Sequence, residues 1–184
     1  MRTRPTLVVV SGPPGAGKTT LAHRLASRIG CPAICRDEIK EGMVHATNAD
    51  FVAAPDDELN LRTLPTFFQV LQVLLAAGVT TVAEAAYQDR LWRPGLRPLA
   101  GQADLRVVHC QVPASTAWAR IQHRRQQNPA RRAHADGHLA DRETHAARHD
   151  RFDRVRLGVP ELDVETSDDY RPGLDEIAAF ANAI

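Results

Sequence analysis

The segment Val8–Ala26, VVVSGPPGAGKTTLAHRLA, decides the fold. Leu7 to Val10 form an apolar run too short for a helix and suited to a strand buried on both faces, as a parallel sheet requires. From Lys18 the apolar positions Leu21, Ala22, Leu25, Ala26 and Ile29 recur at helical spacing, and Gly30 can end that helix. Between strand and helix lies Gly12-Pro13-Pro14-Gly15-Ala16-Gly17-Lys18-Thr19, which satisfies G-x-x-x-x-G-K-[ST] in the strand–loop–helix context that gives the pattern its meaning.

The spacing has a physical reason. Glycine adopts backbone conformations that a Cβ forbids, so successive N–H groups can turn inward around a phosphate. The helix that follows offers unsatisfied N–H donors and a partial positive end. Lys18 is then placed to reach the β- and γ-phosphates, and the Thr19 hydroxyl to ligate Mg²⁺. Nucleotide contacts are therefore expected from Gly12, Pro13, Pro14, Gly15, Ala16, Gly17, Lys18, Thr19 and the neighbouring Thr20.

The 184 residues suffice for one domain, 1–184, with a substantial core. A formal charge of +1 supplies no global basic field, which disfavours a long nucleic acid as partner. No apolar run approaches the length of a membrane span, and few residues precede the first strand, so a cytoplasmic protein without membrane partners is expected. Cys31, Cys35 and Cys110 lack C-x-x-C spacing and read as reduced thiols.

Along the chain, CPAIC suggests a second strand over Pro32 to Cys35, followed by RDEIKEGM. DDELNLRTLPTFFQVLQVLLAAG carries Leu59, Phe67, Val70, Leu71, Leu74 and Leu75 at helical spacing, with Pro65 expected to bend or restart that helix. VTTVAEAA and LRVVHCQV read as strands, PASTAWARIQHRRQQ as a helix, ELDVET as a fifth strand and PGLDEIAAFANAI as the closing helix. Strands alternating with helices mean a parallel sheet covered on both faces. The polar stretch from Asn128 to Val155, rich in Arg and His, reads as a lid at about 127–140 followed by a helix from about Asp141.

With these motifs in place, the chain resembles the P-loop small-molecule kinases. More narrowly, it resembles the group that includes chloramphenicol phosphotransferase, zeta-type toxin kinases and the 5′-kinase domain of polynucleotide kinases. The P-loop, RDEIKEG after the second strand, the third strand closing on Glu84 and the late Arg-rich helix carry the likeness. The resemblance implies a three-layer α/β fold whose five-stranded parallel sheet runs 2-3-1-4-5, with a mobile Arg-rich lid, and an ATP- and Mg²⁺-dependent transfer to a small-molecule acceptor.

Phosphoryl transfer needs a triphosphate clamp, a metal, a group that activates the acceptor and positive charge over the transferring group. Asp37 follows a predicted strand, at the sheet edge where ligands of open α/β sheets gather. In the resembling kinases an aspartate there accepts the proton of the acceptor hydroxyl; the plainer reading makes Asp37 the N-cap of its helix. Glu38 and Glu41 read as solvent-facing. Glu84 closes an apolar strand as the second acidic motif of such enzymes does, which suits Mg²⁺-bound water, the acceptor or a structural hydrogen bond.

Arg120 and Arg124 share one helical face and are the candidates for transition-state charge, with Arg125, Arg131 and Arg132 behind them. Thr166, Ser167 and Asp168 lie where the resembling kinases pack adenine, and Asp168 joins Arg120 as a candidate nucleotide contact. Trp92 reads as a core anchor, or as a platform for a flat acceptor near Arg90 and Arg93. His134 with His138, and His145 with His149, have spacing that could serve a metal but read as solvated lid residues, while His149 and Phe152 are positioned to line an acceptor pocket. The expected activity is phosphorylation of a hydroxyl on an antibiotic, nucleoside or sugar-like metabolite. A nucleic-acid 5′-kinase or nucleoside monophosphate kinase, and an ATP-binding switch with slow hydrolysis, are the alternatives.

Overall fold

The first strand, β1 (Thr6–Ser11), runs into the glycine-rich loop and α1 (Lys18–Ile29). There follow β2 (Ala33–Cys35), α2 (Arg36–His45), α3 (Glu58–Ala76), β3 (Thr81–Glu84), α4 (Asp89–Leu96) and β4 (Asp104–Gln111). The chain closes with α5 (Ala114–Gln127), α6 (Arg142–Asp150), β5 (Glu161–Glu165) and α7 (Leu174–Asn182). This computed structural model describes residues 4–46, 51, 53–54, 57–127 and 141–183. The lid expected at about 127–140, with Arg131, Arg132, His134 and His138, lies outside the described residues apart from Gln127.

The sheet is parallel throughout and ordered β2-β3-β1-β4-β5, as the resemblance implies. Pairing of Val10 with Glu84 and of Cys35 with Glu84 brings the carboxyl ends of β1, β3 and β2 to one edge. Alternation along the strands divides the core. Val8, Val10, Val108 and Cys110 pack with Leu21, Leu25 and Ile177 on the face covered by α1 and α7. Leu7, Val9 and Val107 pack with Phe67, Leu71, Trp92 and Val155 on the other. The central strand β1 is thus apolar on both sides, which is why its sequence is a continuous run rather than an alternation.

Helix α3 begins at the cap residue Asp57, whose carboxylate accepts from the Asn60 N–H at 2.6 Å. It continues through Pro65 as one helix rather than restarting there. The carbonyl deprived of its donor by Pro65 belongs to Leu61, whose side chain is on the exposed face, and Leu59, Thr63, Phe67, Leu71 and Leu75 keep one buried stripe across the proline. Packing of that stripe outweighs the local defect. Beyond α6, the segment before β5 is tied to the start of α4: the Asp89 N–H donates to the Asp153 carbonyl, and the Arg156 N–H donates to the Asp89 carboxylate at 2.8 Å.

Leu71 is fully buried between α3 and the sheet, so Leu71→Ala removes apolar contact and leaves a cavity costing about 2–5 kcal/mol. The urea midpoint should fall accordingly with the slope unchanged, whereas Leu61→Ala, at a position 66% exposed, should shift stability by no more than about 0.5 kcal/mol.

Candidate active site

The loop between β1 and α1 is wedged against its neighbours. A Cβ on Gly12 would come within 2.5 Å of the Cys110 carbonyl oxygen, and one on Gly15 within 2.5 Å of the Ala117 carbonyl oxygen. Both glycines also have positive φ, so neither position admits a side chain. No side chain caps the N-terminus of α1, which leaves its first N–H groups open to an anion. Lys18 is 9% exposed and donates from Nζ to the Pro13 carbonyl at 3.0 Å, folded across the loop it would share with a phosphate. The cradle fits a phosphate chain.

Beside it, the Thr19 hydroxyl donates to Glu84 Oε2 at 3.1 Å. Glu84 is buried, and burial pushes its carboxyl up; Lys18 draws it back down, while the charge of Asp37 raises it further. A hydroxyl and an oversupply of negative charge, all oxygen donors, suit Mg²⁺. Asp37 stands in the first turn of α2 and receives a hydrogen bond from Arg36 Nη1 at 3.0 Å; Arg36 also donates to Asn60. The N-cap of α2 is Cys35, not Asp37, which corrects the plainer reading of that aspartate. Glu38 is exposed as expected, yet it is engaged, with Oε1 at 2.6 Å from His23 Nε2.

On one side of the loop opens a cleft of about 320 Å³, bordered by Gly15, Gly17, Thr20, Arg120, Arg124 and Asp168. Arg120 donates from Nη2 to the carbonyls of Thr166 (2.6 Å) and Ser167 (2.7 Å), so its guanidinium holds the loop after β5. Arg124 lies one turn on and donates from Nε to the Arg120 carbonyl at 3.4 Å. Thr166 is the joint of this wall. Its hydroxyl lies 2.9 Å from the Ala16 carbonyl and 3.2 Å from that of Gln111, and its N–H donates to Gln111 at 3.0 Å.

On the other side is a cavity of about 260 Å³ whose lining includes Gly12, Pro13, His109, His149, Phe152 and Arg154. His149 and Phe152 line this cavity, whereas Asp37 is not part of its lining. Burial pushes the His109 imidazole down, against the Glu161 carboxylate 3.1 Å from its Nε2. His145 is buried rather than solvated, correcting the expectation for it: its ring centroid lies 5.4 Å from that of Trp118 and 5.9 Å from that of His149. Trp92 is a core anchor, enclosed by Phe67, Phe68 and Tyr87, and Arg93 pairs with Asp89 at 3.3 Å. Sequence reasoning missed His23, whose helical position carried no signal of a partner on α2.

The profile of the AAA domain family matches residues 7–155, and the chain belongs to that family. A cytidylate kinase from Ignicoccus hospitalis is 39% identical over 62 residues, a stretch that is 31% of this chain and 36% of that enzyme. The fold is shared with a candidate kinase from Chloroflexus aurantiacus, at 22% identity, a TM-score of 0.79 and 97% of both chains. It is also shared with a sugar kinase from Janibacter sp., at 19% identity, a TM-score of 0.61, 97% of this chain and 94% of that one. The chain is a P-loop protein of that family, with a fold that kinases share. Among the described residues no helix is long and apolar enough to cross a membrane.

Thr166→Val keeps the shape but removes the hydroxyl shared by Ala16 and Gln111. A loss of about 1–3 kcal/mol in stability is expected from the buried acceptors left behind, measured by urea unfolding. Calorimetry should show weaker binding of an ATP analogue, because Arg120 and the loop after β5 lose their common anchor.

Proposed function

We propose that the chain is an ATP- and Mg²⁺-dependent kinase that transfers the γ-phosphoryl group to a hydroxyl of a small molecule. The observation that carries this reading is the Thr19–Glu84 hydrogen bond at the mouth of the loop, with the charge of Asp37 close enough to raise Glu84 further. With Glu84 beside Thr19, the second carboxylate, Asp37, is left to serve an acceptor.

In this reading Lys18 exchanges the Pro13 carbonyl for β- and γ-phosphate oxygens, while loop amides hold the β-phosphate. Thr19 and Glu84 would hold Mg²⁺, which would supply neutralisation of the phosphate charge there. Arg120, Arg124 and Asp168 border the cleft for the nucleoside, and Arg120 fixes its wall through Thr166 and Ser167. Asp37, just beyond the carboxyl end of β2 beside Glu84, takes the proton of the acceptor hydroxyl. Arg36, with Nη1 3.0 Å from Asp37 Oδ1, holds the carboxylate in place.

A second reading follows from the local likeness to a cytidylate kinase: a nucleoside monophosphate as acceptor. An acceptor phosphate is already ionised and needs no base, so one substitution separates the two. Asp37→Asn should lower transfer by about a hundred- to ten-thousandfold for a hydroxyl acceptor, with ATP affinity unchanged. Little change in transfer would favour the phosphate acceptor. The acceptor itself is to be named by mass spectrometry of a metabolite extract incubated with the protein and ATP, as the compound that gains one phosphate.

Lys18→Ala should lower turnover at least about a hundredfold on whichever acceptor is found, while circular dichroism stays that of the parent. Near-normal turnover of this variant would exclude the loop from the reaction.

A further inference from the structure

His23 on α1, Cys35 at the end of β2 and Glu38 in the first turn of α2 come from three elements, yet their ligand atoms lie within 4.8 Å of one another. His23 Nε2 is 2.6 Å from Glu38 Oε1 and 3.7 Å from Cys35 Sγ. Tetrahedral zinc bonds of about 2.0–2.3 Å set neighbouring ligand atoms about 3.3–3.8 Å apart. The Cys35–His23 spacing already meets that requirement. The His23–Glu38 pair must open by about 1 Å, which costs little because these side chains are 51% and 46% exposed and such ion pairs are weak.

The donor set also selects. Sulfur and imidazole nitrogen favour a thiophilic ion, whereas the all-oxygen pair Thr19 and Glu84 favours Mg²⁺. The two positions are neighbours, since His23 follows Thr19 by one helical turn and Glu38 adjoins Asp37. Three carboxylates, of Asp37, Glu38 and Glu84, give the region the charge a divalent cation needs, and three protein ligands leave a fourth position for water.

We propose that His23, Cys35 and Glu38 form a site for a zinc-class cation, separate from the magnesium position, whose filling slows phosphoryl transfer. Binding forms a metal–sulfur bond at Cys35 and releases its thiol proton to solvent. The site then sets two charges one helical turn from Thr19, where they repel a cation held by Thr19 and Glu84. That inhibitory half rests on the reading of Thr19 and Glu84 as the magnesium position; the binding half does not.

The test uses the full chain, stripped with a chelator and titrated with Co²⁺, which reports a thiolate ligand through a sulfur-to-metal absorption band in the near ultraviolet. One equivalent should develop the band, and Zn²⁺ should displace it. Cys35→Ser should abolish the band and His23→Gln should weaken binding at least tenfold, both with parental circular dichroism. Should Cys35→Ser fail to fold, His23→Gln at an exposed position carries the test. A parent with no such band, or a band that survives both substitutions at parental affinity, overturns the site. With Mg²⁺ in excess, Zn²⁺ should inhibit the parent at concentrations at least tenfold lower than it inhibits His23→Gln. Equal inhibition of both overturns the regulatory half alone, and the cobalt band, which needs no turnover, separates that failure from failure of the kinase reading.

Discussion

The contact on which the site depends is steric: the backbone of Gly15 lies against Ala117 of α5, and that of Gly12 against Cys110 of β4. The phosphate loop is therefore gripped by the next strand and by the helix after it, rather than hanging from β1. Its N–H groups are aimed before any ligand arrives, so binding incurs little ordering cost. The same grip places Thr166 within reach of Ala16, so that the loop, β4 and the wall of the cleft beside Arg120 form one hydrogen-bonded unit.

Around this rigid centre the electrostatics are unsettled by design of the sequence. Glu84 is a buried carboxylate facing a lysine, with a second carboxylate nearby, and its charge is only partly offset within the chain. Such a group is stable when a cation stands beside it and costly when none does, which is a general reason for active sites to be loci of perturbed titration. The fold thus leaves a place where a cation would be bound at little cost.

The alternation of strands and helices was legible because a strand buried on both faces must be continuously apolar and a covering helix must repeat at its own period. The loop was legible because no other pattern of residues leaves that many amides free at a helix start. The sheet order came with the family likeness, and periodicity alone would have left it open. Pairings between elements were not legible. Nothing in the sequence near His145 announces Trp118 across from it, and nothing near Arg120 announces the carbonyls of Thr166 and Ser167. That α3 does not restart at Pro65 was hidden for a related reason: the penalty of the proline is local, while the packing that overrides it is contributed by the sheet.

The two hydrogen bonds between Asp89 and the segment of Asp153 and Arg156 have a mechanical meaning. They moor the chain immediately after α6 to the base of α4, while His145, inside α6, packs on Trp118 of α5. The wall that carries His149 and Phe152 beside Gly12 is therefore a bridge pinned at two points, to α4 at one end and to α5 along its length.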